Sequence, residues 1–291
     1  MNEVSKKRLE QAAKNIQLFS GFDIRAAAVT GSIAKGYGDE NSDIDTIVML
    51  NNNLTQAEFD KVISDAKASG GDFYHGSPEE GFAVYYYIEG VRCDFGFGHY
   101  SETEKLIYEM LEKPEVDLMK HLQISGLIDS HILIDDDWLK PLITRAEREY
   151  PKELQVMLVS HFKRFHPEWA IEKMTIGRGD ILYYYDSLVE MIGNIIGILC
   201  GLNRFYHPGK LKGVEHTIER MKIKPKDFIS RYKYVLNAEK YAALKELFNL
   251  VRETFDLIDE HLPEVSTVRS REVLEMVLRN KYHAAAEAAC C

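Results

Sequence analysis

Thr30-Gly31-Ser32-Ile33-Ala34-Lys35-Gly36-Tyr37-Gly38-Asp39-Glu40-Asn41-Ser42-Asp43-Ile44-Asp45 joins two apolar runs and carries a glycine turn and a pair of carboxylates. It follows the β-rich run that starts at Ile24 and leads into a second one, Ile44 to Leu50, so it reads as strand, sharp turn, short helix, loop and strand. Gly31 lets the backbone turn off the first strand and approach a ligand closely. Ser32 opens the short helix, where free N–H groups and a hydroxyl suit phosphate oxygens. Ala34 and Gly36 keep that helix slim.

Asp43 and Asp45 stand two apart on an extended segment, so both side chains emerge on one face while Ile44 and Val48 point into the core. Two neighbouring carboxylates repel unless a cation lies between them. Hard oxygen ligands beside a phosphate-binding turn suit Mg²⁺. A third carboxylate on a neighbouring strand would complete a two-metal site, and Asp94, in the apolar run Val91-Arg92-Cys93-Asp94-Phe95, is placed to supply it.

Working outward, Leu9, Ala12, Ala13 and Ile16 give helical spacing over Ser5–Phe19. Leu54–Ser69 reads as a helix with Thr55 as N-cap, broken by Gly70-Gly71. The runs Phe82–Ile88 and Val91–Phe95 flank Glu89-Gly90, a hairpin signal. A helix is expected from Glu102 to Leu111, and a strand-like run within Ile124–Ile134. From Pro141 onward strand patterns vanish, and helical patterns fill Leu154–Phe165, Glu168–Ile176, Ile181–Leu202, Lys226–Val235 and Lys240–His261. The expectation is an α/β (α+β) domain over residues 1–140 and an all-α domain over 141–291.

The composition excludes several classes. The 291 residues are 45% apolar and 28% charged, enough to build a core and inconsistent with wholesale disorder. Residues 1–140 carry 13 Lys and Arg against 25 Asp and Glu, and residues 141–291 carry 23 against 21. An acidic front half argues against a protein that grips DNA, and suits a cationic small substrate, although ordinary solvated charge gives the same count. The apolar run Met191–Leu202 is shorter than the ~20 residues of a membrane span, and no leader-like stretch follows Met1, so a cytoplasmic protein is expected. Cys93, Cys200, Cys290 and Cys291 form neither a zinc motif nor a disulfide framework; the last two are expected to belong to a frayed tail, the alternative being a redox or metal role.

Gly31-Ser32, a spacer and Asp43-Ile44-Asp45, with a third Asp on a later strand, resemble the nucleotidyltransferase superfamily related to DNA polymerase β. Ser42 and Ala34 also match many members, and Asp94 matches by order and strand context. A compact catalytic domain followed by helices resembles the antibiotic nucleotidyltransferases, which modify aminoglycosides or lincosamides. The resemblance implies a mixed sheet and Mg²⁺, two ions, held by Asp43, Asp45 and Asp94. It also implies a nucleoside triphosphate, ATP foremost, held by Gly31, Ser32 and Ser42, and a nucleoside monophosphate passed to a hydroxyl with release of pyrophosphate. The acceptor it implies is a small molecule, and homodimerisation is compatible with it. Related alternatives are a protein, a tRNA or another metabolite as acceptor, or a nucleotide-binding, antitoxin-like module that does not turn over. Lys35 either reaches the triphosphate or faces solvent.

In the helical half, Asp180, Tyr183, Ser187, Glu190 and Asn194 recur at helical spacing along an apolar helix whose core side is Ile181, Leu188, Ile192, Ile195 and Leu199. That stripe is either a solvent face or a substrate-facing wall, and Glu190 is its candidate general base. Gly193, Gly197 and Gly201 make a thin face for close packing. Arg204, Tyr206 and His207 either line a cleft or, in the case of His207, cap a helix end.

Overall fold

The computed structural model describes residues 1–276; the Cys290–Cys291 pair lies outside the described residues. The chain forms two compact units, Met1–Pro151 with Tyr206–His216, and Lys152–Phe205 with the chain from Thr217 onward.

The first unit opens with α1 (Glu3–Asn15), capped by the Asn2 side chain accepting from Ser5 N, and a 3-10 turn over Ile16–Phe19. Then come β1 (Ile24–Val29), α2 (Gly31–Ala34), β2 (Ile44–Leu50) and α3 (Gln56–Ala68), the last begun by Thr55 in a reciprocal capping box with Glu58. β3 (Asp72–Ser77), β4 (Gly81–Ile88) and β5 (Val91–His99) follow, then α4 (Tyr100–Glu112), α5 (Leu118–Ile128), β6 (His131–Asp135) and α6 (Leu139–Arg148). The six strands make one mixed sheet in the order β3-β4-β5-β2-β1-β6, with β2 and β5 parallel and every other pairing antiparallel. Glu89 and Gly90, both with positive φ, form the two-residue turn of the β4–β5 hairpin.

Alternation along β5 and the first half of β2 builds the core. Ile44, Val48, Cys93, Phe95 and Phe97 are buried on one face together with Leu9 and Ala12 of α1, Ile16 of the 3-10 turn, and Val62 and Ala66 of α3. Phe19 packs edge-on against Phe95 and Phe97 with ring centroids 4.9 and 5.0 Å apart. The opposite face carries Asp45, Asp94, Gly96 and Gly98, and is free to become a site.

The strand run expected within Ile124–Ile134 is present as β6, His131–Asp135, after α5 ends at Ile128. Asp117 accepts from Met119 N and Lys120 N, and this cap starts α5, a helix that the sequence pattern did not announce. β3, not anticipated, is an edge strand whose Asp72, Tyr74, His75 and Gly76 are exposed, so it lacks the alternation that marks a half-buried strand. The boundary expected between 140 and 141 falls inside α6, which packs on α5 and β6 in the first unit.

The second unit is helical: α7 (Lys152–Phe162), α8 (Glu168–Met174), α9 (Ile181–Leu202), α11 (Phe228–Asn237), α12 (Lys240–His261) and α13 (Val268–Leu274), with α10 (Val214–Arg220) carrying the chain back from the Tyr206–His216 segment. α9 is 22 residues long and apolar enough to span a membrane by length and composition, longer than the Met191–Leu202 run suggested. It serves instead as the central helix of its unit, packed by α7, α11 and α12. A Cβ on Gly197 would enter the Phe162 ring, and one on Gly201 would meet Val159, so the thin face is where α7 lies. Leu188, Ile192, Ile195 and Leu199 are buried as expected, whereas Ile181 is 52% exposed because it begins the helix before the packing starts. Ser187 is wholly buried, so the polar stripe is not one continuous solvent face.

Candidate active site

The site grows out of the parallel β2–β5 pairing. Asp45 and Asp94 are direct register partners, followed by Ile47 beside Gly96 and Met49 beside Gly98. Parallel neighbours in register point the same way, so the two carboxylates stand side by side on the open face. Asp43, two residues before Asp45, has a half-exposed side chain at the mouth of the strand pair.

Gly31 explains how the turn comes so near. Its φ is +70°, and a Cβ there would collide with Asp45 Oδ2. Thr30 N donates to Asp45 O at 2.8 Å and fixes the turn to β2. Ser32 Oγ donates to Ser42 Oγ at 3.2 Å, and Ser42 Oγ accepts from Asp39 N at 2.9 Å. The two hydroxyls expected to meet phosphate are therefore adjacent, joined across the loop. Lys35 points neither to bulk solvent nor freely into a ligand space: it pairs with Asp129 at 3.4 Å, both side chains being about nine-tenths buried.

The electrostatics are unbalanced at Asp45. Burial, then repulsion from Asp94 and from Asp43, push its carboxyl from 3.8 up to about 6, against a smaller pull downward from Lys212 and Arg92. An excess of negative charge on hard oxygen donors fits a divalent cation. The carboxylates are not, however, gathered into a ready-made ligand cluster of three among the described residues. Arg92 Nε lies 3.1 Å from Asp94 Oδ1 and 3.9 Å from Asp43 Oδ2, so a side-chain cation already sits between those two acids. The guanidinium is itself held over the Tyr85 ring at 4.4 Å and donates to Tyr74 Oη.

Glu190 is on α9 in the second unit, half-exposed and 3.4 Å from His166 Nε2, so the structure does not bring it together with the other candidates in one unit. His207, in the first unit, donates its backbone N–H to His121 Nδ1 at 3.0 Å and accepts from Gly209 N through its own Nδ1. It anchors the returning segment. Arg92, Tyr74, Tyr85 and Lys212 were missed by the sequence reading. For Arg92 a signal existed, since a residue two before Asp94 shares its face; Lys212 arrives from a distant part of the chain and leaves no local sign.

A cavity of about 930 Å³ extends from Gly31 and Asp45 along the sheet, past Gly96 and Gly98, to α4 and α5 and to Pro208 and Lys210. Gly96 and Gly98 leave open space where side chains would otherwise stand, and so form its floor. Four lysines (Lys35, Lys105, Lys120, Lys210) and four acids (Asp45, Glu80, Glu102, Glu109) line it, so the excess acidity of the front half is not concentrated there.

Residues 7–128 match the model of the nucleotidyltransferase domain, a stretch that contains the Gly31–Ser32 turn, Lys35, Ser42 and the three carboxylates Asp43, Asp45 and Asp94. No curated protein sequence matches the chain. Among solved structures, a nucleotidyltransferase-like protein from Exiguobacterium sibiricum 255-15 is similar at 12% identity and a TM-score of 0.39, over 88% of this chain and 79% of that one. The Cid1 poly(U) polymerase is similar at 14% identity and a TM-score of 0.26, over 44% of this chain and 41% of that one. The same polymerase in its MgGTP-bound structure gives 13% identity and a TM-score of 0.30, over 85% and 94%. The domain match and the paired carboxylates support nucleotidyl transfer as the general chemistry. The fold itself rests on strand register and packing.

Proposed function

We propose that the protein is a divalent-metal-dependent nucleotidyltransferase that passes a nucleoside monophosphate, AMP from ATP foremost, to a hydroxyl of a small molecule such as an aminoglycoside-like antibiotic. The observation that carries this is the register of Asp45 with Asp94 beside the Gly31–Ser32 turn. Asp43, Asp45 and Asp94 would hold Mg²⁺, which supplies charge neutralisation at the triphosphate and the leaving pyrophosphate.

The chain's own groups do the rest. Gly31 brings the backbone against Asp45, and the Ser32 and Ser42 hydroxyls offer hydrogen bonds to phosphate oxygens. Lys35, released from Asp129, is a cation within the cavity for the same oxygens. The acceptor oxygen bonds to the α-phosphorus as the bond to the pyrophosphate oxygen breaks, and Asp94 takes the hydroxyl proton. A floor of glycines and a lining of balanced charge suit a polyhydroxylated acceptor.

The test is pyrophosphate release from Mg²⁺ and ATP, with the other nucleoside triphosphates in parallel, over a pool of aminoglycosides and lincosamides. Release that needs a drug and disappears in Asp43→Ala/Asp45→Ala supports the assignment. Silence over the pool with Mg²⁺-nucleotide still bound removes the antibiotic acceptor and moves the search to protein, tRNA or another metabolite.

A further inference from the structure

Arg92 is a cation built into the middle of an acidic site, and nothing in the proposed transfer uses it. Its Nε lies 3.1 Å from Asp94 Oδ1 and 3.9 Å from Asp43 Oδ2, oxygens of two of the carboxylates proposed above to hold a metal. A guanidinium carries one charge spread over a plane, and a divalent ion carries two at a point. Both cannot neutralise the same pair of carboxylates without sharing oxygens.

The aromatic neighbours give the side chain a hold that does not depend on the acids. Tyr85 is the register partner of Asp94 on β4, so its ring shares the open face, and the guanidinium already lies over it at 4.4 Å, with the Tyr74 ring at 5.7 Å. Tyr74 Oη accepts from Arg92 and is also 3.3 Å from Asp94 Oδ1, so it ties the cation to the acid. The side chain is about one-third exposed, free to slide along the aromatic pair without unpacking the core.

We propose that Arg92 competes with a divalent cation for Asp43 and Asp94, with the Tyr74–Tyr85 pair as the platform that receives the guanidinium when the metal takes those oxygens. The role is that of a positioning residue which sets metal affinity, and it rests on the metal assignment made above. Because the competitor is covalently part of the chain, metal is held less tightly than the three carboxylates alone would hold it, and its occupancy becomes sensitive to the local concentration that a metal–nucleotide complex delivers.

Equilibrium Mn²⁺ binding at constant pH, followed by electron paramagnetic resonance on the full chain, tests this without reference to turnover. Arg92→Gln is expected to bind Mn²⁺ roughly three- to tenfold more tightly than the wild type, the range a partly exposed pair of ion contacts commands. Tyr74→Phe, at an exposed position that leaves folding intact, is expected to tighten binding by a smaller factor. Unchanged or weaker binding in Arg92→Gln overturns the proposal, weaker binding meaning that Arg92 orients Asp94 for the metal instead. If Arg92→Gln does not fold, Tyr74→Phe decides by the same criterion. Asp45→Asn separates the two layers: wild-type Mn²⁺ binding that Asp45→Asn leaves untouched removes the metal site itself, whereas binding that it abolishes, with no tightening in Arg92→Gln, removes only the competition.

Discussion

Asp45 concentrates the energetics of the site in one side chain. Its carboxyl titrates near 6 because it is buried beside Asp94 and Asp43, so the folded chain holds a proton there that the unfolded chain, at 3.8, does not. In chelator the stability of the fold therefore rises as pH falls from above 6 toward 4, and at neutral pH the whole penalty is present, up to ~3 kcal/mol. Asp45→Asn in chelator is expected to melt higher than wild type at pH 7.5, by roughly 3–8 °C, and to lose that pH dependence; differential scanning calorimetry between pH 4 and 8 checks both. Transfer activity has the opposite sign, since the ionised carboxylate is the metal ligand: it should fall at acid pH, with its midpoint below that of the metal-free site because a bound cation favours the ionised form. Gly31→Ala puts a methyl group into the Asp45 carboxylate at a φ of +70°, and is expected to cost about 2–3 kcal/mol in a denaturant melt and to abolish nucleotide binding. The acids and Gly31 were legible because their spacing is local. Lys212 was not, for its influence on Asp45 depends on where a distant segment returns.

At the scale of elements, the parallel β2–β5 pair makes the site, and nothing in either strand alone states its register. The alternation on each strand announces which face Asp45 and Asp94 occupy; that the two are direct partners emerges only from the pairing. Short periodic signals decided the helices well where an apolar stripe was long, as in α9 and α12, and gave no sign of α5, an 11-residue helix whose start is set by the Asp117 cap. β3 was silent because an edge strand need not alternate. The glycines of α9 give a paired prediction. Gly197→Ala drives a methyl group into the Phe162 ring and should destabilise by about 1–3 kcal/mol. Gly193→Ala meets open space on the same helix and should stabilise by up to ~1 kcal/mol. Urea melts of the two variants should therefore move in opposite directions.

Across the whole chain, the division into two units follows the sequence shift from mixed to helical patterns, but the first unit reclaims residues 206–216, which no composition change marks. That return matters: it brings Lys212 toward Asp45 and places Pro208 and Lys210 on the cavity wall. Charge behaves similarly. The front half is strongly acidic, yet the cavity lining is balanced, so acceptor choice is expected to depend on hydroxyl geometry more than on net charge. Raising salt from 50 to 300 mM should then leave the acceptor KM within about threefold; a steep rise would show that charge selects the acceptor.

Asp45 and Asp94 are proposed to create a metal-dependent nucleotide site. Isothermal titration of the full chain with ATP, and with the other three nucleoside triphosphates, with and without Mg²⁺, addresses it directly. Saturable one-to-one binding of at least one nucleotide, requiring Mg²⁺ and lost in Asp45→Asn/Asp94→Asn, is the result the structure predicts. No binding of any of the four, or binding that survives both removal of the metal and the double substitution, would contradict it.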